Sequence, residues 1–185
     1  MRTIVLAVLL LCWIAWCYPF VFRAPRGQKR ASITVAWPTR IGLLLEISAF
    51  AVAFVFHLPG LRPASAVRTV LGMSIAVPAV VMVWQAVAHL GKQLRVYAGL
   101  YEDHELVRSG PYAIVRHPIY ASLLAMLVAN CLLLTRWWWA LVALVVFIIG
   151  TEIRVRAEDR LLASRFPGEF AAYRRRVPAY LPFVR

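Results

Sequence analysis

Five apolar runs, separated by short basic or polar stretches, limit what this chain can fold into. They cover Thr3 to Phe22, Ile41 to Leu58, Ala66 to Ala88, Ile119 to Thr135 and Trp137 to Ile153. A helix rises about 1.5 Å per residue, so each run reaches most or all of a hydrocarbon core about 30 Å thick. In that core every backbone N–H and C=O needs a partner within the protein, which favours helices over open strands. Only Arg136 divides the last two runs, so they must form a tight helical hairpin, with Trp137, Trp138 and Trp139 in an interfacial aromatic belt. The fold class expected is an all-α integral membrane protein with five transmembrane helices. A hydrophobic content of 62% agrees with it.

The first run follows Arg2 and looks at first like a secretory signal. No small-x-small cleavage site follows it, and Cys17-Tyr18-Pro19-Phe20 continues into bulky residues. A run of this length spans a bilayer, whereas a signal core is about 7–15 residues. It is read as retained.

The chain carries 21 Lys and Arg against 8 Asp and Glu, for a formal charge of +13. The basic residues lie between the apolar runs rather than along one polar face, so the partner expected is the anionic inner leaflet and not nucleic acid. Seventeen of the 21 fall in the loop Arg23–Arg40, the loop after the third run and the tail from Arg154; only Arg2, Arg62, Arg68 and Arg136 lie on the opposite side. The positive-inside rule then places the amino terminus outside, and the long loop and the carboxyl tail in the cytoplasm. That loop, His89 to His117, is too long for a mere connector. The tail from Glu158 is expected to open as a short helix, break at Phe166-Pro167-Gly168 and resume through Tyr173. Residues 1–185 read as a single membrane domain, with N-terminal spans over 1–83 and a carboxyl-terminal part over 84–185.

Cys12, Cys17 and Cys131 match neither a metal site nor a disulfide framework, and are expected as small buried hydrophobes. No metal is implied. Glu46 sits inside the second run, where the readings are snorkelling to the interface, pairing with a basic loop residue, or a functional role. His57 and His89 stand at segment ends, where a solvated role is the default. Arg174, Arg175 and Arg176 suit lipid-phosphate contacts.

The chemistry-bearing stretch is Gly110-Pro111-Tyr112-Ala113-Ile114-Val115-Arg116-His117-Pro118-Ile119-Tyr120, set against the start of the fourth run. Pro118 fits the first turn of a helix, where its missing N–H costs nothing. The turn before it offers backbone donors at a helix N-terminus, an anion-friendly position to which Arg116 adds a cation. Tyr112 and Tyr120 present faces that attract a cation or stack on a base. On the fifth helix Arg154 and Glu158 are four apart and share a face. The plain alternatives are an interfacial histidine and a surface ion pair.

The run His104-Glu105-Leu106-Val107-Arg108-Ser109-Gly110-Pro111-Tyr112, with Arg116-His117-Pro118-Ile119-Tyr120, resembles the isoprenylcysteine carboxyl methyltransferase family and its phospholipid methyltransferase relatives. So do Arg154 with Glu158, Leu162, Phe166, and the ending Tyr173-Arg174-Arg175-Arg176-Val177-Pro178-Ala179-Tyr180-Leu181-Pro182-Phe183. Asp159 stands where a second glutamate is common, and Phe166-Pro167 replaces the usual Phe-Gly. The resemblance implies an S-adenosyl-L-methionine pocket on the cytoplasmic side, formed by the loop and the carboxyl-terminal segment. His104, Glu105, Leu106 and Val107 would line it; Tyr112, His117, Pro118, Ile119 and Tyr120 would cup the cofactor; Glu158 would bind it. Arg154 corresponds to the catalytic position that holds the substrate's carboxylate.

Methyl transfer from a sulfonium to a carboxylate needs no general base, because the carboxylate is already ionised at neutral pH. An arginine fork suits a carboxylate, whereas an amine acceptor must first lose a proton. The expected activity is carboxyl O-methylation of a prenylcysteine-like or other lipophilic carboxylate. The alternatives are a phospholipid or amine N-methyltransferase, a sterol-type reductase using a nicotinamide cofactor, and a non-catalytic scaffold or small transporter of the same fold.

Overall fold

The structure, a computed structural model, describes residues 2–22, 33–34, 36–55, 65–94, 99–100 and 105–181. Among the described residues it is all-helical apart from one two-residue ladder. Helix α1 spans Arg2–Phe22, α2 Ala36–Val55 and α3 Ala66–Leu90. Two 3-10 turns follow, Gly91–Gln93 and Gly110–Ala113. Helices α4 (Pro118–Leu134), α5 (Trp137–Arg165) and α6 (Pro167–Arg176) follow. Strands β1 (Ile33–Thr34) and β2 (Gly99–Leu100) pair antiparallel, which joins the segments after α1 and after α3 at one end of the bundle.

Among the described residues, α1, α2, α3 and α5 are long and apolar enough to cross a membrane. Helix α4 is shorter, at 17 residues, or about 25 Å of rise. The helices carry apolar side chains outward as well as inward: Leu10, Leu44, Val70, Leu141 and Val145 are all exposed. A contiguous apolar exterior of this kind suits lipid rather than water.

Two element boundaries differ from the sequence reading. Helix α2 begins at Ala36 rather than Ile41, because Pro38 falls in its first turn, where proline is tolerated. The tail from Glu158 does not open a new helix. Helix α5 runs without interruption for 29 residues to Arg165 and breaks only at Phe166, before Pro167. At about 1.5 Å per residue it outreaches the hydrocarbon core by roughly 13 Å. Its polar carboxyl-terminal turns therefore project from the apolar bundle as a rigid extension.

Helix α2 packs along α5, and α4 along α3. Small residues allow the first pairing. A Cβ at Gly42 would lie 2.6 Å from the Gly150 carbonyl oxygen, and one at Gly150 would lie 2.7 Å from that of Gly42, so the two backbones meet where any side chain would part them. Ala49, Ala53, Ala143 and Phe147 continue the seam as a buried cluster. At the far end Thr135 Oγ1 donates to the Ala53 carbonyl at 2.9 Å, and Arg68 Nε donates to the Leu132 carbonyl at 2.7 Å. That cation sits at the negative end of α4, where the helix dipole favours it. Trp16 Nε1 donates to Ser122 Oγ at 3.1 Å, which ties α1 to α4. Cys12 and Cys131 are buried as expected, but Cys17 is exposed on α1.

Candidate active site

Both bundle seams lead to the same end of the molecule, where the turn before α4, the lower half of α5 and the chain's last segment converge. The turn Gly110–Ala113 needs its first glycine on two counts. Gly110 has φ +59°, and a Cβ there would lie 2.5 Å from the His89 ring. His89 is otherwise exposed, with Nδ1 2.8 Å from the Gln85 carbonyl; His57 lies outside the described residues.

From this turn a chain of alternating charges crosses to α5. Arg116 Nη2 meets Asp159 Oδ2 at 3.0 Å, and His117 Nε2 meets Asp159 Oδ1 at 2.9 Å. His117 Nδ1 faces Glu158 Oε2 at 3.3 Å. Tyr120 Oη donates to Glu158 Oε1. With a carboxylate on each ring nitrogen, a neutral imidazole would turn a lone pair toward one of them, so His117 is an imidazolium that donates to both. Burial alone would lower its pKa, but the bonds to Asp159 and Glu158 outweigh that and push it up to about 9. Burial pushes the Tyr112 phenol up as well, so it stays neutral at physiological pH.

The donors of the turn do not wait for an anion. Arg116 N–H donates to the Pro178 carbonyl at 2.9 Å and His117 N–H to that of Ala179 at 2.8 Å. Arg116 Nη1 also donates to the Val177 carbonyl. The anion site expected there is thus filled by the tail, which straps across the turn. Tyr180 Oη fastens the strap to Glu152 at 2.9 Å, and Tyr173 Oη on α6 donates to the Tyr112 carbonyl at 2.5 Å.

Glu46 also departs from expectation. It is buried at 1% exposure and pairs with α5 rather than with a loop residue. Its Oε2 takes Arg154 Nη1 at 2.6 Å and its Oε1 takes the Thr151 hydroxyl at 3.0 Å. The meeting follows from the glycine seam. Gly42 and Gly150 lie one turn before Glu46 and Arg154 respectively, so the contact that brings the backbones together brings these side chains together. Arg154 is buried, not a surface residue, and its guanidinium carbon lies 4.7 Å from the Tyr120 ring centroid.

These groups border one cavity of about 750 Å³. Glu105, Leu106, Val107, Tyr112, His117, Pro118, Ile119, Tyr120, Arg154 and Glu158 all line it. The structure therefore brings together every candidate cofactor- and acceptor-binding residue within its described range; His104 lies outside that range, as do Pro182 and Phe183. Around Glu46, Arg154 and Glu158 the walls are polar. Beyond them the cavity runs between α1, α2 and α4 past the aromatic and aliphatic side chains of Trp13, Trp16, Leu43, Ile47, Phe50, Phe54 and Leu123. Asp159, Tyr173 and Glu46's pairing were not read from the sequence. Asp159 had a local signal, an acid beside Glu158 on the same helix, whereas Tyr173 had none beyond the tail motif.

Comparison with known proteins agrees with this geometry. The profile of the isoprenylcysteine carboxyl methyltransferase (ICMT) family matches residues 70–164, slightly over half of the chain. The chain is 40% identical over 93 residues to the cobalt-zinc-cadmium resistance protein CzcN of Cupriavidus metallidurans, covering 48% of this chain and 42% of that protein. It is 34% identical over 92 residues to the nickel-cobalt-cadmium resistance protein NccN of Alcaligenes xylosoxydans xylosoxydans, covering 48% and 43%. The match thus spans under half the length of either resistance protein. With protein-S-isoprenylcysteine O-methyltransferase B of Arabidopsis thaliana it shares 27% identity over 161 residues, covering 83% of this chain and 78% of that protein. The chain belongs to the ICMT family.

Proposed function

We propose that the protein is an S-adenosyl-L-methionine-dependent membrane methyltransferase that esterifies a prenylcysteine-like or other lipophilic carboxylate. One observation carries the reading: Arg154 and Glu158, a helical turn apart, line a single cavity that is polar beside them and apolar beyond. A cation-binding group and an anion-binding group are thereby set side by side, with room for a hydrocarbon chain behind them.

The residues present suit the cofactor. A cavity of about 750 Å³ lies within the roughly 300–1,000 Å³ of small-molecule sites. Glu158 supplies a carboxylate for a positively charged ligand, and the rings of Tyr112 and Tyr120 supply faces that attract a cation. When bound, S-adenosyl-L-methionine supplies an electrophilic methyl group on a sulfonium. The protein's task is then alignment. Arg154 holds the acceptor carboxylate in line with that methyl, and the apolar wall from Ile47 to Leu123 seats the lipid and excludes water. His117, as an imidazolium fixed between Glu158 and Asp159, holds the Glu158 carboxylate in its orientation. No residue is required to remove a proton.

The same reading places all five apolar helices in the membrane, with α4 accommodated by modest local thinning of the bilayer. The amino terminus lies outside and the polar end of the cavity in the cytoplasm, with the basic α6 against anionic lipid. A lipophilic acceptor then reaches the cavity sideways from the bilayer.

The test is methyl transfer from labelled S-adenosyl-L-methionine in membranes carrying the protein, with N-acetyl-S-farnesylcysteine as acceptor. The expected product is a base-labile methyl ester. Label found instead in base-stable N-methylated headgroups contradicts the carboxylate reading, and NADPH binding without any response to S-adenosyl-L-methionine contradicts the methyltransferase reading.

A further inference from the structure

Glu46 is a carboxylate in the middle of an apolar helix, outside residues 70–164 that match the family profile. A buried ion pair contributes little to stability when compared with apolar residues of similar size. Holding α2 to α5 is already the work of the Gly42–Gly150 contact and the Ala49, Ala53, Ala143 and Phe147 cluster. The pair lies instead on the cavity wall, where Glu46 and Arg154 both face the space an acceptor would occupy.

The geometry around it restrains rather than merely neutralises. Both carboxylate oxygens of Glu46 are held from α5, one by Arg154 Nη1 at 2.6 Å and the other by Thr151 Oγ1 at 3.0 Å. The carboxylate is fixed in plane, so it fixes the guanidinium edge it meets. The Tyr120 ring, 4.7 Å from the guanidinium carbon, restrains the guanidinium face. An arginine side chain is long and rotamer-rich, and a fork held on an edge and a face before the ligand arrives loses less freedom on binding.

The charge balance gives Glu46 a second effect. Methylation converts an acceptor carboxylate into a neutral ester, so whatever held that carboxylate loses its counter-charge inside an apolar bundle. With Glu46 retained at 2.6 Å, Arg154 is never an uncompensated buried cation, either before the acceptor binds or after the ester forms. Without it, the site would bind the carboxylate more tightly while aligning it less well.

We propose that Glu46 is a positioning residue for methyl transfer: it orients the Arg154 guanidinium toward the acceptor carboxylate and compensates its charge when that carboxylate is absent or esterified. This rests on the carboxyl methyltransferase reading above.

The experiment compares the full-length protein with Glu46→Gln, Glu46→Leu and Thr151→Val in detergent or vesicles. Initial rates are measured with N-acetyl-S-farnesylcysteine, and S-adenosylhomocysteine binding by calorimetry. Glu46→Gln retains an oxygen for Arg154 and Thr151 but no charge; Glu46→Leu retains neither. Misalignment of this kind costs on the order of tenfold to a hundredfold in kcat. The expected result is that loss in Glu46→Leu, a smaller loss in Glu46→Gln and a slight one in Thr151→Val. The acceptor KM should be unchanged or lower in Glu46→Gln, and S-adenosylhomocysteine affinity unchanged in all three. A purely structural role would instead lower thermal stability and cofactor affinity together in Glu46→Leu, and leave kcat of the folded Glu46→Gln fraction intact. Either of those results overturns the inference. If the unsubstituted protein transfers no methyl to the carboxylate, the reading beneath fails and this inference fails with it. If it does, and Glu46→Gln matches it in kcat and KM, the inference alone fails.

Discussion

His117 and Asp159 are joined at 2.9 Å between Nε2 and Oδ1, so the turn before α4 is fastened to α5 by a bond that the imidazole donates. The same ring meets Glu158 at 3.3 Å through Nδ1. The site's acidic groups are thereby tied to a basic residue that titrates in an accessible range.

A pH dependence follows, with a definite sign. The folded protein holds the His117 proton more tightly than the unfolded chain does, with a pKa of about 9 against an ordinary 6.5. The resulting stabilisation is complete below about pH 6.5 and is lost as pH rises through about 9. Thermal melting in detergent should therefore fall across that interval in the unsubstituted protein. His117→Gln should start lower and show a much flatter profile; an equal slope in both proteins assigns the dependence to another group.

Breaking the Arg116–Asp159 pair should be severe. Both side chains are about nine-tenths buried, and removing one partner of such a pair costs about 3–5 kcal/mol. Asp159→Ala should lower the melting temperature and free the tail strap, read as faster proteolysis after Arg174, Arg175 or Arg176. Unchanged melting and cleavage would count against the strap.

Arg154→Ala should abolish methyl transfer to the carboxylate while S-adenosylhomocysteine still binds. Arg154→Lys should rescue little, because a point charge replaces a planar fork. Calorimetry beside the labelled-methyl assay checks both; unchanged turnover in either variant removes Arg154 from acceptor binding.

Gly150→Val tests the seam between α2 and α5. A Cβ at this position lies 2.7 Å from the Gly42 carbonyl oxygen and 2.9 Å from the Leu45 Cβ, so the helices must part. Overpacking of this kind costs about 1–3 kcal/mol. It should also separate Glu46 from Arg154, so activity should fall further than stability alone explains. Melting curves and rates on the folded fraction separate the two effects.

The apolar runs made the helices legible because a hydrocarbon core constrains length and composition more strongly than water does. The same rule misplaced the lower end of α5. Arg154, Arg156, Glu158 and Asp159 end an apolar run, but no proline or glycine follows them before Pro167, so the helix continues to Arg165. Glu46 was visible as an oddity, yet its partner was not. Its partner depends on which helices meet at Gly42 and Gly150, and two isolated glycines carry no periodic signal. The Gly110–Tyr120 stretch gave up its cavity-lining residues because the chemistry is local. It concealed the fate of its own backbone donors, since nothing in Val177-Pro178-Ala179 announces that their carbonyls will reach back to Arg116 and His117. Long-range main-chain pairing leaves no mark in composition.

The central claim is that one cavity, closed by the histidine-bearing turn and the acidic turn of α5, binds S-adenosyl-L-methionine. Isothermal titration of the purified full-length protein with S-adenosylhomocysteine tests it most directly. The expected result is saturable binding at a single site, weakened about tenfold or more by Glu158→Ala and by His117→Ala, in line with the loss of a charged contact. No saturable binding at millimolar ligand, or binding that both substitutions leave untouched, would contradict it.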